Sequence, residues 1–207
     1  KRSIGQAAAT LVPNRSSLFM NLGTTIEEVA TALTDHEDLL VITNNLNVAT
    51  HLYRLPSIDV IVAGGNVRRN DGGIIGDQAV TLIRQFKVDT GIIGVSAIDE
   101  DGSLLDFDYR EVQVAQAIIE NARRVILVAD QTKLGRPAPV RIAHISQIHT
   151  FVTDTLPSDS LREVCRRKGV HLIDGQQVRY DEDRVGPGGH GLVYLVLVDD
   201  EILAQDG

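Results

Sequence analysis

Ser17-Leu18-Phe19-Met20-Asn21-Leu22-Gly23-Thr24-Thr25 is an apolar run that ends in a polar, glycine-containing turn. Residues 17 to 22 are mostly apolar and flanked by polar positions, which predicts a buried parallel strand. Ile26, Val29, Ala30 and Leu33 then recur at helical spacing, so a helix follows the turn directly. Thr25 stands three residues before Glu28, the spacing of a capping box, which aims its hydroxyl and the first free amides back at the strand end. An anion at that point gains from orphan N–H groups and from the partial positive charge of the helix start. Gly23 lets the backbone approach a ligand with no Cβ in the way. By itself the pattern equally suits an ordinary capped helix after a glycine turn, so the rest of the chain has to decide.

Outward from this stretch the same unit recurs. Ile4, Ala7, Ala8 and Leu11 share one helix face ahead of it, ended by Pro13-Asn14. Leu39 to Thr43 reads as a strand running into Asn44-Asn45, with Leu46, Ala49 and Leu52 as the stripe of the next helix. Asp59 to Ala63 is a third strand, closing on Gly64-Gly65. Asn70-Asp71-Gly72-Gly73 is a strong turn signal and predicts a small hairpin or irregular excursion over 66 to 75. Ala79, Leu82, Ile83 and Phe86 mark a helix from about 77 to 86, and Thr90 to Val95 a fourth strand ending at Ser96-Ala97. The polar segment 99 to 108 reads as the longest acidic loop, and Val112, Ala115, Ile118, Ile119 and Ala122 as a helix. A strand over 124 to 129 then stops at Asp130-Gln131-Thr132-Lys133-Leu134-Gly135. A strand at 148 to 153, a helix at 158 to 168 and a strand at 170 to 173 complete the series. This alternation predicts an α/β fold, a mainly parallel sheet with helices on both faces. Ligands of such sheets bind outside the carboxyl ends of the strands.

A domain over 1–176 is therefore expected, followed by an extension over 177–207 in which the unit does not recur. There, Asp181-Glu182-Asp183-Arg184 and a glycine-rich loop at 186 to 191 precede the apolar run Leu192 to Val198. That run suits an edge strand, a partner-binding strand or a non-native extension left by cloning.

At 207 residues and 43% hydrophobic, the chain can bury one large core with an appendage. No apolar run approaches the ~18 residues of a membrane helix, and residues 1 to 9 lack the apolar centre of a signal peptide. The expectation is a soluble, cytoplasmic protein with no membrane partner. A formal charge of −8 argues against nucleic acid being held by this surface, because neutralising phosphates needs clustered Lys and Arg. Arg68-Arg69, Arg123-Arg124 and Arg166-Arg167 read as isolated, solvated pairs, and Cys165 as buried and inert. The histidines are scattered, and Asp99-Glu100-Asp101-Gly102 lacks the acid at 97 that a calcium loop needs, so no metal is expected. With no Gly-x-Gly-x-x-Gly or Walker pattern, no cofactor is expected either.

The polar strand ends form one candidate site: Asn21, Gly23, Thr24 and Thr25; Thr43, Asn44 and Asn45; Gly64 and Gly65; Ser96; Asp130 and Lys133. Hydroxyls, amides, glycine N–H groups and a lysine suit a phosphorylated polyol and make poor general acids and bases, so no catalytic residue is assigned. Lys133 reads either as the phosphate partner or as a solvated loop lysine. Arg110 and Glu111, beside the acidic loop, read either as a contact to polyol hydroxyls or as a local ion pair at a helix start.

Asn21-Leu22-Gly23-Thr24-Thr25, Thr43-Asn44-Asn45, Ala63-Gly64-Gly65, Asp71-Gly72-Gly73-Ile74-Ile75-Gly76, Gly94-Val95-Ser96-Ala97 and Asp130 to Gly135 together resemble the serial motifs of the C-terminal sensor domain of DeoR-family bacterial transcriptional regulators. The resemblance covers residues 3 to about 175. Gly102-Ser103-Leu104-Leu105-Asp106-Phe107-Asp108-Tyr109 and Ala117-Ile118-Ile119-Glu120-Asn121 are most similar to the branch that responds to glycerol 3-phosphate. The resemblance implies a fold akin to ribose-5-phosphate isomerase and CoA-transferase domains, with a phosphorylated sugar or polyol as inducer. It also implies a homo-oligomer, dimer or tetramer, and operator DNA read by a winged helix-turn-helix ahead of residue 1. Where isomerases of that fold carry an Asp-Gly-Ala-Asp type motif, this chain has Gly94-Val95-Ser96-Ala97, which cannot exchange protons near neutral pH. It departs from the family in Asn21, where Asp is usual, and in Ala115-Gln116, where a Lys-Arg pair is usual. A sensor rather than an enzyme is expected. The alternatives are a phosphosugar isomerase or CoA-transferase-like enzyme drawing on Asp106, Asp108 and Glu111, and a purely structural oligomerisation domain.

Overall fold

A computed structural model of the chain describes residues 1–176 in full and, beyond them, only the backbone of three strands within 179–204. The elements are α1 (Arg2–Ala9), β1 (Ser17–Met20), α2 (Thr24–Ala32), β2 (Leu39–Thr43), α3 (Leu46–Leu52), β3 (Ile58–Val62), β4 (Asn66–Val67), β5 (Ile74–Ile75), α4 (Asp77–Ile83) and β6 (Val88–Ile93). They continue as β7 (Ala97–Ile98), β8 (Ser103–Asp106), α5 (Tyr109–Asn121), β9 (Ala122–Val128), β10 (Val140–His144), β11 (Thr150–Thr153), α6 (Asp159–Lys168) and β12 (His171–Asp174). The remaining strands are β13 (Arg179–Val185), β14 (Gly191–Val196) and β15 (Ile202–Ala204).

The main sheet has seven strands in the order β12-β11-β9-β6-β1-β2-β3. Every pairing in it is parallel. Its pleat sorts side chains to two cores. Leu18, Met20, Val41, Ile92, Ile126 and Val152 pack with Ile4, Ala8, Ile26, Val29 and Val48 of the α1, α2 and α3 layer. Phe19, Ile42, Ile93, Val125, Leu127 and Phe151 pack with Ile83, Val112, Ile118 and Leu161 of the α4, α5 and α6 layer. Both faces are thus covered, as the near-continuous apolar strands require. From β1 the chain proceeds outward through β2 and β3, then returns to place β6 on the other side of β1. The strand order reverses between β1 and β6, and the crevice at such a switch point is open to a ligand.

The structure alters several expectations. The acidic segment is not a plain loop: β7 and β8 pair antiparallel and β10, absent from the sequence reading, adds to β8. Its alternation is too short to register as a strand pair. Residues 66 to 75 do form a hairpin, β4 against β5. The capping box at Thr25 does not form, because α2 begins one residue earlier, at Thr24, with Gly23 as N-cap and no side chain capping it. The apolar run at 192 to 198 is no edge strand where it is described: β14 pairs with both β13 and β15. Most of the glycine-rich loop, residues 186 to 190, lies outside the described residues.

Candidate functional site

A cavity of about 260 Å³ opens outside the carboxyl ends of β1, β6 and β9, at the switch point. It approaches the lower end of the ~300–1,000 Å³ usual for small-molecule clefts. The turn into α2 supplies Gly23, Thr24, Thr25 and Glu27, the end of β6 supplies Gly94 and Ser96, and the segment after β9 supplies Lys133. Arg68 and Asp71 of the β4–β5 hairpin, Asp106 at the end of β8 and Glu111 in the first turn of α5 complete the polar lining, with Lys1 at one side.

The α2 end of this cavity is unspent. Gly23 sits at φ +126°, a conformation L side chains rarely adopt, and a Cβ built there meets nothing within 4 Å. Glu27 N–H and Ile26 N–H donate to Gly23 O, whereas the amides of Thr24 and Thr25 find no acceptor among the described residues. Lys1 Nζ donates to Thr24 Oγ1 at 2.7 Å and lies 3.4 Å from Asp130. Burial works against ionising Asp130, but donation from Thr132 and the ammonium of Lys1 outweigh it and hold that carboxyl below its ordinary range. Lys133 is half-buried, and its ammonium has no protein partner among the described residues.

The other end is rich in carboxylates. Arg68 makes a forked pair with Asp71, donates to Glu111 Oε2 at 2.8 Å and lies 3.5 Å from Asp108. The Arg68 fork holds the Asp71 carboxyl low and in return keeps the guanidinium firmly protonated. Burial, with Asp106 close by, pushes Glu111 up from its ordinary value, and Arg68 relieves this only in part. Asp106 accepts from Ser96 Oγ at 3.0 Å and from Phe107 N–H at 2.6 Å.

Of the residues expected at the site, Gly23, Thr24, Thr25, Ser96 and Lys133 line the cavity. Asn21, Thr43, Asn44, Asn45, Gly64 and Gly65 do not. Asn21 is buried at the end of β1, its Oδ1 without a hydrogen-bond partner. Thr43 Oγ1 donates to Met20 O, and Asn44 Nδ2 donates to Ile74 O, fastening the hairpin. Asn45 Oδ1 accepts from Asn47 N–H and Val48 N–H and so caps α3. Gly64 and Gly65 turn the chain from β3 into β4. The hairpin then seats against the α2 turn, where a Cβ on Gly73 would come within 2.7 Å of Leu22 Cδ1.

The sequence reading did not place Arg68 or Asp71 at the site, and it named Asp106 only for the enzyme alternative and Glu111 for that alternative or as a polyol contact. Arg68 is no isolated surface arginine, and Glu111 pairs with it rather than with Arg110, which turns to Asp108. The one signal for Arg68 was Asp71, three residues on in a hairpin turn. Among the described residues no cluster of His, Cys, Asp or Glu is arranged to hold a metal, and no helix is long and apolar enough to cross a membrane.

A parallel sheet covered on both faces, with its cavity at the reversal of strand order, defines an open-sheet α/β domain with a crevice of the kind that takes a ligand. The family model described as the DeoR C terminal sensor domain matches residues 1–155, and the chain belongs to that family. It is 47% identical over 179 residues to the glycerol-3-phosphate regulon repressor of Haemophilus influenzae, covering 86% of this chain and 70% of that protein. Of solved structures, eIF2B delta from Chaetomium thermophilum aligns with a TM-score of 0.51 at 16% identity, over 72% of this chain and 53% of that one. Ribose 5 phosphate isomerase A from Neisseria gonorrhoeae aligns with a TM-score of 0.48 at 13% identity, over 97% and 77%. At 16% identity the eIF2B delta alignment shows a shared fold alone. The chain is a regulatory sensor domain of the transcriptional-repressor class, not an enzyme.

Proposed function

We propose that the cavity takes a phosphorylated sugar or polyol as inducer, glycerol 3-phosphate first among them. The observation that carries this is Lys133, a cation without a protein partner, lining the same cavity as the uncapped start of α2. Free amides, the Thr24 and Thr25 hydroxyls and an unspent ammonium are the donors a doubly charged phosphate needs. Gly23, Thr24, Thr25, Ser96 and Lys133 touch the ligand in this reading. Asn21, Thr43, Asn44, Asn45, Gly64 and Gly65 hold the strand ends and the hairpin behind them. The relative's name supports the choice of glycerol 3-phosphate.

Binding draws the hairpin and the α2 turn onto one ligand, which favours one arrangement of the domain over another. Operator DNA is then released by a winged helix-turn-helix ahead of residue 1, in a cytoplasmic homo-oligomer, dimer or tetramer, whose subunit placement depends on the ligand. Titration calorimetry and thermal unfolding with a panel of phosphorylated C3 to C6 compounds test the reading. Glycerol 3-phosphate is expected to bind and raise Tm by mass action. Neither heat nor a thermal shift with any of the panel would overturn it.

A further inference from the structure

We infer that Asp106 and Glu111 are the specificity-determining residues of the cavity, reading the free hydroxyls of the ligand's carbon chain, with Arg68 as the positioning residue for Glu111. This rests on the sensor reading above and says what, besides phosphate, the sensor recognises.

Asp106 is only 5% exposed yet lines the cavity. Both hydrogen bonds it accepts, from Ser96 Oγ and Phe107 N–H, fall on Oδ1. Its Oδ2 is left without a donor among the described residues. Glu111 repeats the arrangement: Oε2 accepts from Arg68 at 2.8 Å, and Oε1 has no donor among the described residues. Arg68 is itself fixed by the Asp71 fork on the hairpin, so the Glu111 carboxylate is held from outside.

Two carboxylates facing one cavity impose a division of labour. An ionised carboxylate accepts hydrogen bonds and donates none, and it repels a phosphate dianion. The phosphate is therefore confined to the amides of α2 and Lys133. The groups that satisfy Asp106 Oδ2 and Glu111 Oε1 must be hydrogen-bond donors. In a phosphorylated polyol those are hydroxyls, and a site built around buried acceptors rejects analogues that lack the matching donor.

The experiment compares glycerol 3-phosphate with n-propyl phosphate, which keeps the phosphate and the three-carbon chain but has no hydroxyl. Calorimetry is run on the wild-type chain and on Asp106→Asn and Glu111→Gln. Each substitution can leave one oxygen toward Ser96 and Phe107, or toward Arg68, and replaces the oxygen left without a donor by an N–H₂ donor. The wild type is expected to prefer glycerol 3-phosphate by at least about tenfold, the scale of one hydrogen bond to a charged group. Each variant should lose about tenfold for glycerol 3-phosphate while propyl phosphate binds as well as before or more tightly, because the amide no longer repels its phosphate. Far-ultraviolet circular dichroism and retained propyl phosphate binding establish that a variant is folded, and the wild-type ratio decides the matter if one is not. Equal wild-type affinity for the two compounds, or equal losses for both in the variants, overturns the assignment and leaves the sensor reading standing. Binding of neither compound, nor of any other sugar or polyol phosphate, overturns both.

Discussion

The strand ends leaving β1 and β2 lie side by side and carry the same kinds of residue, yet they spend them differently. After β2, Thr43 Oγ1 donates to Met20 O, Asn44 Nδ2 to Ile74 O, and Asn45 Oδ1 takes the first amides of α3. After β1, α2 starts from a glycine at positive φ with no side chain capping it. The first end is closed by its own hydrogen bonds, Asn44 Oδ1 excepted, and holds the fold. The second is left open and faces the cavity. A polar residue at the carboxyl edge of a parallel sheet is therefore no sign of a binding role until its donors and acceptors are accounted for.

The contrast breaks most sharply at Lys133. Lys133→Met removes a cation with no protein partner among the described residues, so it should cost affinity and leave stability alone. Affinity for glycerol 3-phosphate is expected to fall about 10- to 100-fold, the ~1.5–3 kcal/mol of a hydrogen bond to a charged group. Unfolding in urea should move by less than about 0.5 kcal/mol. A variant that keeps its affinity, or unfolds markedly earlier, would place Lys133 among the structural residues.

Arg68→Met should do the opposite, because Arg68 is already engaged. It leaves Asp71, Asp108 and Glu111 facing one another without their shared cation. These side chains are partly exposed, so the loss is expected near ~2 kcal/mol at neutral pH rather than the 3–5 kcal/mol of a fully buried pair. The sign with pH follows from linkage. Asp71 has its folded-state pKa depressed by Arg68, so its contribution is present above the ordinary carboxylate range and lost as pH falls. Glu111 has its folded-state pKa raised by burial and Asp106, so its ionisation costs stability as pH rises, and losing Arg68 enlarges that cost. Both make the gap between wild type and variant widest near neutral pH and narrowest at about pH 3. Urea unfolding at the two pH values measures this, and a gap that widens in acid would contradict the assignment.

Much of this arrangement was legible in the sequence because it follows from period. The strand Leu39–Thr43, the third strand to within one residue, and the helices that follow the first two strands come from apolar spacing, and the mainly parallel sheet from the alternation of elements. The β7–β8–β10 sheet was not legible: two of its strands are short, and the acidic turn between β7 and β8 reads as loop. Asp106 and Glu111 could therefore be named only as carboxylates near the strand ends, and it is that sheet and α5 that bring them to the cavity. The strand-end residues were named correctly as polar and edge-placed, but which of them line the cavity depends on side-chain hydrogen bonds that spacing does not encode. Asn45 shows the difference: it stands where a ligand residue would stand and acts as a helix cap.

Asn45→Ala and Thr24→Val make the finest test, because they probe the two strand ends with changes of similar size. Asn45→Ala removes the cap of α3 and should cost about 1 kcal/mol of stability, the usual size of a lost Asn cap. It should leave ligand affinity within about twofold, since the residue does not line the cavity. Thr24→Val keeps the shape of the side chain and removes only the hydroxyl, whose protein contact is with an exposed Lys1 ammonium. Stability is therefore expected to change by less than about 0.5 kcal/mol. Affinity for glycerol 3-phosphate should fall about three- to tenfold, the ~0.5–1.5 kcal/mol of one neutral hydrogen bond. Calorimetry and urea unfolding on the same two proteins give four numbers, and the reading requires them to cross: stability lost at one strand end, affinity at the other. If both substitutions lower stability and neither touches affinity, the open end of β1 is no more a binding surface than the closed end of β2. The amides of Thr24 and Thr25 would then be satisfied by water alone.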